Sequence, residues 1–270
     1  MGHISWEDAV RRYRHQPGNE VAVRNNFFDL PVRQAAERYA QTEEFAAVLN
    51  HIGPAKNRYI LDVGAGNGVT SYALAKAGFR VVALEPDGSE EVGANAIRHL
   101  QQETSLPITI VRNLGERLPF RDHVFDVVHC RQVLHHANDL EVLCREIGRV
   151  LKTGGTFIAT REHVLSNVND LDRFLENHPL HHLYGGEHAY LKREYINAIE
   201  NAGIKITHIF NPYQSNINAY PETLNDIKRR LANRVFFPFP NLIPDLLLGW
   251  VGNFIRTPGR LYTFIGVKIN

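Results

Sequence analysis

Tyr59 to Gly68 reads YILDVGAGNG, and no other stretch narrows so far what this chain can fold into. Ile60, Leu61 and Val63 predict a short buried strand; Gly64, Gly66 and Gly68 then strip side chains from a turn that opens a helix at Val69. Glycine is needed where the backbone takes positive φ or where a ligand comes too close for a Cβ, and the following helix N-terminus adds unpaired N–H groups. The turn is therefore a place where a small molecule can lie on bare backbone.

Two ligand classes use such turns. Dinucleotide sites follow G-x-G-x-x-G with an acid about 20 positions on. Here the third glycine falls one residue early, at Gly68, and Val69 stands where Gly or Ala is expected. Asp62 followed by G-x-G-x-G, with the strand VVALE ending in Glu85, resembles instead the class I methyltransferases that use S-adenosylmethionine (SAM). The resemblance implies that Gly64, Ala65, Gly66 and Gly68 cradle SAM, that Asp62 lies near its ammonium group, and that Glu85, followed by Pro86, takes its ribose. A carboxylate at a strand end can accept from both ribose hydroxyls. An ordinary strand–helix turn with a surface Glu is the competing reading.

Composition supports one decorated domain. A chain of 270 residues at 44% hydrophobic content buries one substantial core. Thirty Lys+Arg against 29 Asp+Glu leave a formal charge of +1 without long runs of one sign, which argues against nucleic acid as a partner. Cys130 and Cys144 make neither a disulfide framework nor a zinc knuckle, which fits a reducing cytoplasm. Glu7 and Asp8 argue against a secretory leader, and Pro238, Pro240, Pro244 and Asp245 against a membrane span in the apolar stretch 235–255.

Along the chain, residues 5–16 predict a helix capped by Ser5 and stopped at Pro17-Gly18, and residues 32–49 a second helix. Helix 70–77 and strand 80–84 follow the glycine turn, and Asp87 is expected to cap a helix running to about Gln102. Strands 108–111 and 125–130 flank a loop. A strongly amphipathic helix from Asp139, ended by Gly154-Gly155, leads to strand 156–160. After an irregular stretch, 162–191, come helix 192–202, strand 204–210 and a last strand 261–269, with roughly 50 residues between the two. Such alternation predicts a parallel sheet with helices on both faces.

The segment NLGERLPFRDHVFDVVHCRQVLHH (113–136) also resembles the small-molecule members of that family, through Glu116, Leu118-Pro119-Phe120, Phe125-Asp126 and Val133 to His136. The family's acid at the adenine is Leu114 here, so Asn113 or the backbone at Gly115 is expected to replace it, while Cys130 and Arg131 should border the methionine end. Methyl transfer needs a base only when the nucleophile keeps its proton. His135 and His136 after the fourth strand, and Glu162 and His163 after the fifth, are the candidates because ligands bind beyond the carboxyl ends of the strands. A His-rich loop, 178–190, carries His178, His181, His182, Glu187 and His188, a group with metal-ligating chemistry but no known metal spacing; a polar substrate lid is preferred and no metal is assigned.

These readings combine into a Rossmann-like α/β fold, seven-stranded with an antiparallel last strand. Its expected parts are N-terminal helices 1–50, a SAM-binding core 51–212 with lid loop 162–191, a cap insertion 213–259 and a last strand 260–270. The expected activity is SAM-dependent methylation of a small-molecule acceptor with an apolar part, at a hydroxyl oxygen. Nitrogen or carbon acceptors, or a non-catalytic SAM-fold binding protein, are the alternatives. Oligomeric state is left open.

Overall fold

The computed structural model of the chain describes residues 4–269. Four helices come first: α1 (Trp6–His15), α2 (Glu20–Asn25), α3 (Val32–Tyr39) and α4 (Glu43–Ile52). Ser5 caps α1 by accepting from the Asp8 N–H, as expected. The stretch read as one helix over 32–49 is two, because Thr42 accepts from the Phe45 N–H and starts α4 afresh.

The core then runs β1 (Tyr59–Val63), α5 (Val69–Lys76), β2 (Arg80–Leu84), α6 (Ala94–Thr104), β3 (Ile108–Val111), β4 (Phe125–Arg131), α7 (Leu140–Val150) and β5 (Leu151–Leu165). After it come α8 (Leu171–Glu176), α9 (Pro179–Leu183), β6 (Tyr190–Leu191), α10 (Lys192–Asn201), β7 (Ile204–Phe210), α11 (Asn216–Ala219), α12 (Leu224–Arg234), α13 (Asp245–Gly252) and β8 (Arg260–Lys268). The sheet order is β3-β2-β1-β4-β5-β8-β7, with the two-residue β6 beside β5. Only β8 runs antiparallel, to both β5 and β7. The order reverses between β1 and β4, which opens a crevice beyond the carboxyl ends of β1 and β4.

Two boundaries differ from expectation. Asp87 does not cap α6: its carboxylate accepts from the Ser89 N–H at 2.7 Å, and the helix starts only at Ala94. The helix before β5 ends at Val150, ahead of Gly154-Gly155, and β5 runs on to Leu165 through a bulge between Ala159 and Glu162, where Arg161 takes φ +60°. Such a bulge re-aims the side chains that follow it.

No residue of the insertion 213–259 lines the cleft that opens in this crevice, although the Gly259 carbonyl holds His163, which does. Helix α13 docks on the loop after β7 through Gly249 and Gly252; a Cβ on Gly252 would stand 2.3 Å from Asn211 Oδ1. Asn211, 2% exposed, donates to the Gly249 carbonyl at 2.7 Å, a structural role. With its small side packed inward, α13 turns Leu246 and Trp250 to solvent, and Phe236 nearby is 95% exposed. Among the described residues no helix is long and apolar enough to cross a membrane.

Candidate functional site

The crevice holds a cleft of about 450 Å³. Its floor is the glycine turn. Gly66 has φ +55°, and a Cβ built on it would meet no protein atom within 4 Å, so the residue faces open space where a ligand can approach the backbone. Gly64 is constrained from the other side, because its Cβ would lie 2.7 Å from Val133 Cγ2.

Glu85, at the end of β2 and 7% exposed, turns its carboxylate onto this turn and accepts the N–H of Gly66 at 2.7 Å and of Asp87 at 2.9 Å. Burial lifts the Glu85 carboxyl to about 7, even though both backbone N–H groups pull it down. A buried carboxylate held so high gains from further donors. Paired ribose hydroxyls are such donors, and the residues present therefore fit an adenosyl ligand.

Asp62 is 1% exposed and bound on both oxygens, to Ser71 Oγ at 2.6 Å and His129 Nδ1 at 2.9 Å. Its partner His129 was not singled out in the sequence, although strand alternation puts it on the Asp62 side, with the two in register across β1 and β4.

Of the residues expected at the cofactor, Asp62, Gly64, Ala65 and Gly66 line the cleft, as do Glu85 and Pro86 on one wall and Leu114, Gly115 and Arg131 further round. Three do not. Gly68 is the cap residue of α5, and a Cβ there would press on Ile97 rather than on a ligand. Asn113 spends its Oδ1 on the Leu114 N–H at 2.8 Å. Cys130 is fully buried in the core on the opposite face of β4, in register with Val63, because successive strand side chains alternate.

Arg131, on the cleft side, grips Glu44 of α4 with Nε at 2.6 Å and a second nitrogen at 3.1 Å. Glu44 is completely buried, and Arg161 stands 3.9 Å from the oxygen that the second Arg131 nitrogen bonds. Burial raises the Glu44 carboxyl, but the two guanidiniums more than reverse this and leave it below its ordinary value. This pair, joining α4 to the end of β4, had no signature in the sequence.

At the far end of the cleft stand His135, His136 and His163. Glu162, proposed with them as a base, does not line the cleft. The bulge in β5 aims it beneath the turn after β4, where it accepts the N–H groups of Val133, Leu134 and His135 at 3.0, 3.1 and 3.2 Å and His135 Nδ1 at 2.7 Å. Four donors fix it as a clamp and leave His135 Nε2 as that ring's free lone pair. His163 Nδ1 donates to the Gly259 carbonyl at 2.7 Å, which leaves its Nε2 free as well. Burial holds both imidazoles well below the ordinary histidine range.

From the His-rich loop, His178 and Glu187 enter the cleft, whereas His182 bonds the Glu176 carbonyl at 2.8 Å and His188 lies against Tyr190. The roof is built from α1 and α9, with Trp6 edge-on to Tyr184 at 5.4 Å and Val10 and Tyr13 clustered with Leu180. Residues of α1 and of 178–187 line the cleft, whereas none of 213–259 does.

A parallel sheet with an antiparallel last strand, a glycine turn at its switch point and an acid at the end of β2 define a Rossmann-like ligand-binding domain. Residues 61–159 match the family model described as a methyltransferase domain. An uncharacterized methyltransferase, YcgJ of Bacillus subtilis, is 30% identical over 156 residues, 56% of this chain and 60% of the relative. The sarcosine/dimethylglycine N-methyltransferase of Halorhodospira halochloris is 34% identical over 131 residues, 48% of this chain and 45% of the relative. The crystal structure of YcgJ superposes with a TM-score of 0.56 at 20% identity, covering 84% of this chain and 98% of that one, which shows the shared fold. Over its Rossmann-like core the chain is thus similar to methyltransferases, with residues 61–159 carrying the matched domain. It spans less than two thirds of the length of these two curated relatives, and the names of the wider set include nitrogen, oxygen and carbon methyltransferases.

Proposed function

We propose that the protein transfers the methyl group of SAM to a hydroxyl oxygen of a small molecule with an apolar part. The observation that carries this reading is one continuous cleft running from the Glu85–Gly66 corner to a cluster of imidazoles, under an apolar roof. SAM supplies an electrophilic methyl on a sulfonium centre. Glu85 would take the ribose hydroxyls, Asp62 would lie near the ammonium group, and Leu114 and Gly115 would flank the adenine. Trp6, Tyr13 and Leu180 receive the apolar part of the acceptor.

Alignment of acceptor and methyl does much of the work in such an in-line displacement. The imidazole end supplies what a hydroxyl needs besides alignment. His135 and His163 offer bare Nε2 lone pairs, and His136, half-exposed at the mouth, offers a route for the proton to solvent. A nitrogen acceptor is the second reading, favoured by the buried Glu187 carboxylate, which suits a cationic amine.

The test is methyl transfer from labelled SAM to matched panels of apolar alcohols or phenols and of amines. Transfer to the hydroxyl panel is expected, with His136→Ala lowering kcat by about 10²–10⁴-fold while SAM affinity stays unchanged. Transfer to amines alone would overturn the oxygen reading. SAM bound with no transfer to any acceptor would point to a non-catalytic binding protein.

A further inference from the structure

We propose that His135, His136 and Glu187 form a site for one divalent transition-metal cation of the zinc type, at the acceptor end of the cleft. Their ligand atoms all lie within 4.8 Å of one another. His136 Nε2 stands 3.7 Å and His135 Nε2 3.9 Å from the same Glu187 oxygen. These separations are too long for hydrogen bonds, so the three groups converge without satisfying one another. Zinc bonds of 2.0–2.1 Å in tetrahedral array would set donor atoms about 3.4 Å apart, close to the spacing already present.

Burial sharpens the argument. Glu187 is 8% exposed, yet among the described residues no donor lies within hydrogen-bond distance of its carboxylate. An ionised group so placed needs a compensating charge. His178 stands beside the three ligands and is not one of them: its Nδ1 is buried, has no hydrogen-bond partner, and lies 3.8 Å from the other Glu187 oxygen.

The support beneath the site also matches what metal-ligating histidines need. A ligating imidazole usually donates its second N–H to a carboxylate, which fixes its tautomer and aims the metal-binding nitrogen. His135 has that partner in Glu162 at 2.7 Å, and Glu162 is itself held by three backbone N–H groups. Two imidazoles and one carboxylate select zinc-like or iron-like ions over magnesium or calcium, and three protein ligands leave a coordination position open. The role of the ion rests on the oxygen-acceptor reading above: the open position would take the acceptor's hydroxyl oxygen and lower its pKa, so that its proton passes to water at the cleft mouth, where His136 is half-exposed, before the methyl arrives. On this inference His136 serves as a ligand. Because Glu187 comes from the lid loop and the histidines from the turn after β4, the ion also ties the lid to the core.

The experiment uses full-length protein without a histidine tag, stripped with EDTA and titrated with Co²⁺ by its visible absorption and with Zn²⁺ against a chromogenic chelator. One equivalent should bind, with a four- or five-coordinate Co²⁺ spectrum. His136→Ala and Glu187→Gln should each weaken binding about 100-fold or more, and Glu162→Gln about 10–100-fold. His182→Ala, in the same loop but outside the cleft, should change nothing. Circular dichroism checks that each variant is folded; should Glu162→Gln unfold, Glu187→Gln decides alone. Absence of saturable Co²⁺ and Zn²⁺ binding, or affinity unmoved by Glu187→Gln, overturns the proposal. Methyl transfer to a hydroxyl by protein that binds no metal would remove the ion and leave the oxygen reading standing. Tight metal binding with transfer only to amines would remove the oxygen reading and leave the site.

Discussion

The Glu85 carboxylate and the Gly66 N–H are joined by a 2.7 Å hydrogen bond, so the end of β2 and the glycine turn after β1 hold each other in place before any ligand arrives. Burial keeps the Glu85 pKa high even though this contact and the Asp87 N–H pull it down, because a carboxylate held away from water is only partly compensated. Binding a donor-rich ligand there completes an arrangement the fold has already prepared.

Glu85→Ala should therefore weaken binding of SAM or its demethylated product by about 1.5–3 kcal/mol, the range for charge-assisted hydrogen bonds. Gly66→Val should do at least as much harm, since it fills the open space above the turn and forces a β-branched residue to φ +55°. Calorimetry on folded variants measures both. Unchanged affinity in Glu85→Ala would remove the ribose assignment.

The same carboxylate predicts a pH dependence. Its folded value of about 7 exceeds the ordinary 4.5, so the ligand-free protein holds a proton that the unfolded chain releases between those limits. The stabilisation linked to that proton is complete below about pH 4.5 and is lost as pH rises through about 7. A ligand that donates to ionised Glu85 acts in the opposite sense. The rise in melting temperature on adding saturating S-adenosylhomocysteine should thus be larger at pH 8 than at pH 6, and Glu85→Gln should flatten the difference. Equal shifts in the parent at both pH values would contradict this account.

A third prediction concerns Glu44. Removing its carboxylate in Glu44→Ala leaves Arg131 and Arg161 as neighbouring buried cations with no counter-charge, which should cost about 3–5 kcal/mol in urea denaturation. Glu44 is held below its ordinary pKa by those arginines, so its contribution is present above about pH 4.5 and fades on further acidification. A loss under 1 kcal/mol would mean that water reaches the pair.

What could be read from the sequence divides along physical lines. Strands 59–63, 80–84, 108–111 and 204–210 emerged within a residue of their observed bounds, the first two because buried strands are apolar runs between glycine and polar breaks, and the edge strand 204–210 because its isoleucines are interleaved with polar residues. The glycine turn and Glu85 were legible for the same local reason. Tertiary relationships were not: Glu44 and Arg131 lie 87 positions apart, and nothing in either neighbourhood announces the pair. Glu162 looked like a base because it leaves a strand end on the ligand side, and only the bulge at Arg161 shows that it turns beneath the site. Placing Cys130 at the cofactor was avoidable, since alternation from Asp62 and His129 already assigns it to the opposite face.

The last prediction separates packing from exposure in α13. A helix that folds to fill a core buries its large apolar side chains, but here Leu248, Gly249 and Gly252 face the protein, while Leu246 is 88% and Trp250 60% exposed. Burial sets the cost of a substitution, so Leu246→Ser and Trp250→Ser should each change unfolding free energy by only about 0.5 kcal/mol. Gly252→Val should do far more, because its Cβ would overlap Asn211 Oδ1 at 2.3 Å and push away the side chain that bonds the Gly249 carbonyl. The expected loss is about 2–3 kcal/mol, from overpacking together with a broken buried hydrogen bond. None of the three variants should alter affinity for S-adenosylhomocysteine, since residues 213–259 do not line the cleft. Denaturation curves and calorimetry on the same samples decide the matter. Strong destabilisation by Leu246→Ser, or loss of ligand affinity in folded Trp250→Ser, would show that this segment packs over the cleft after all.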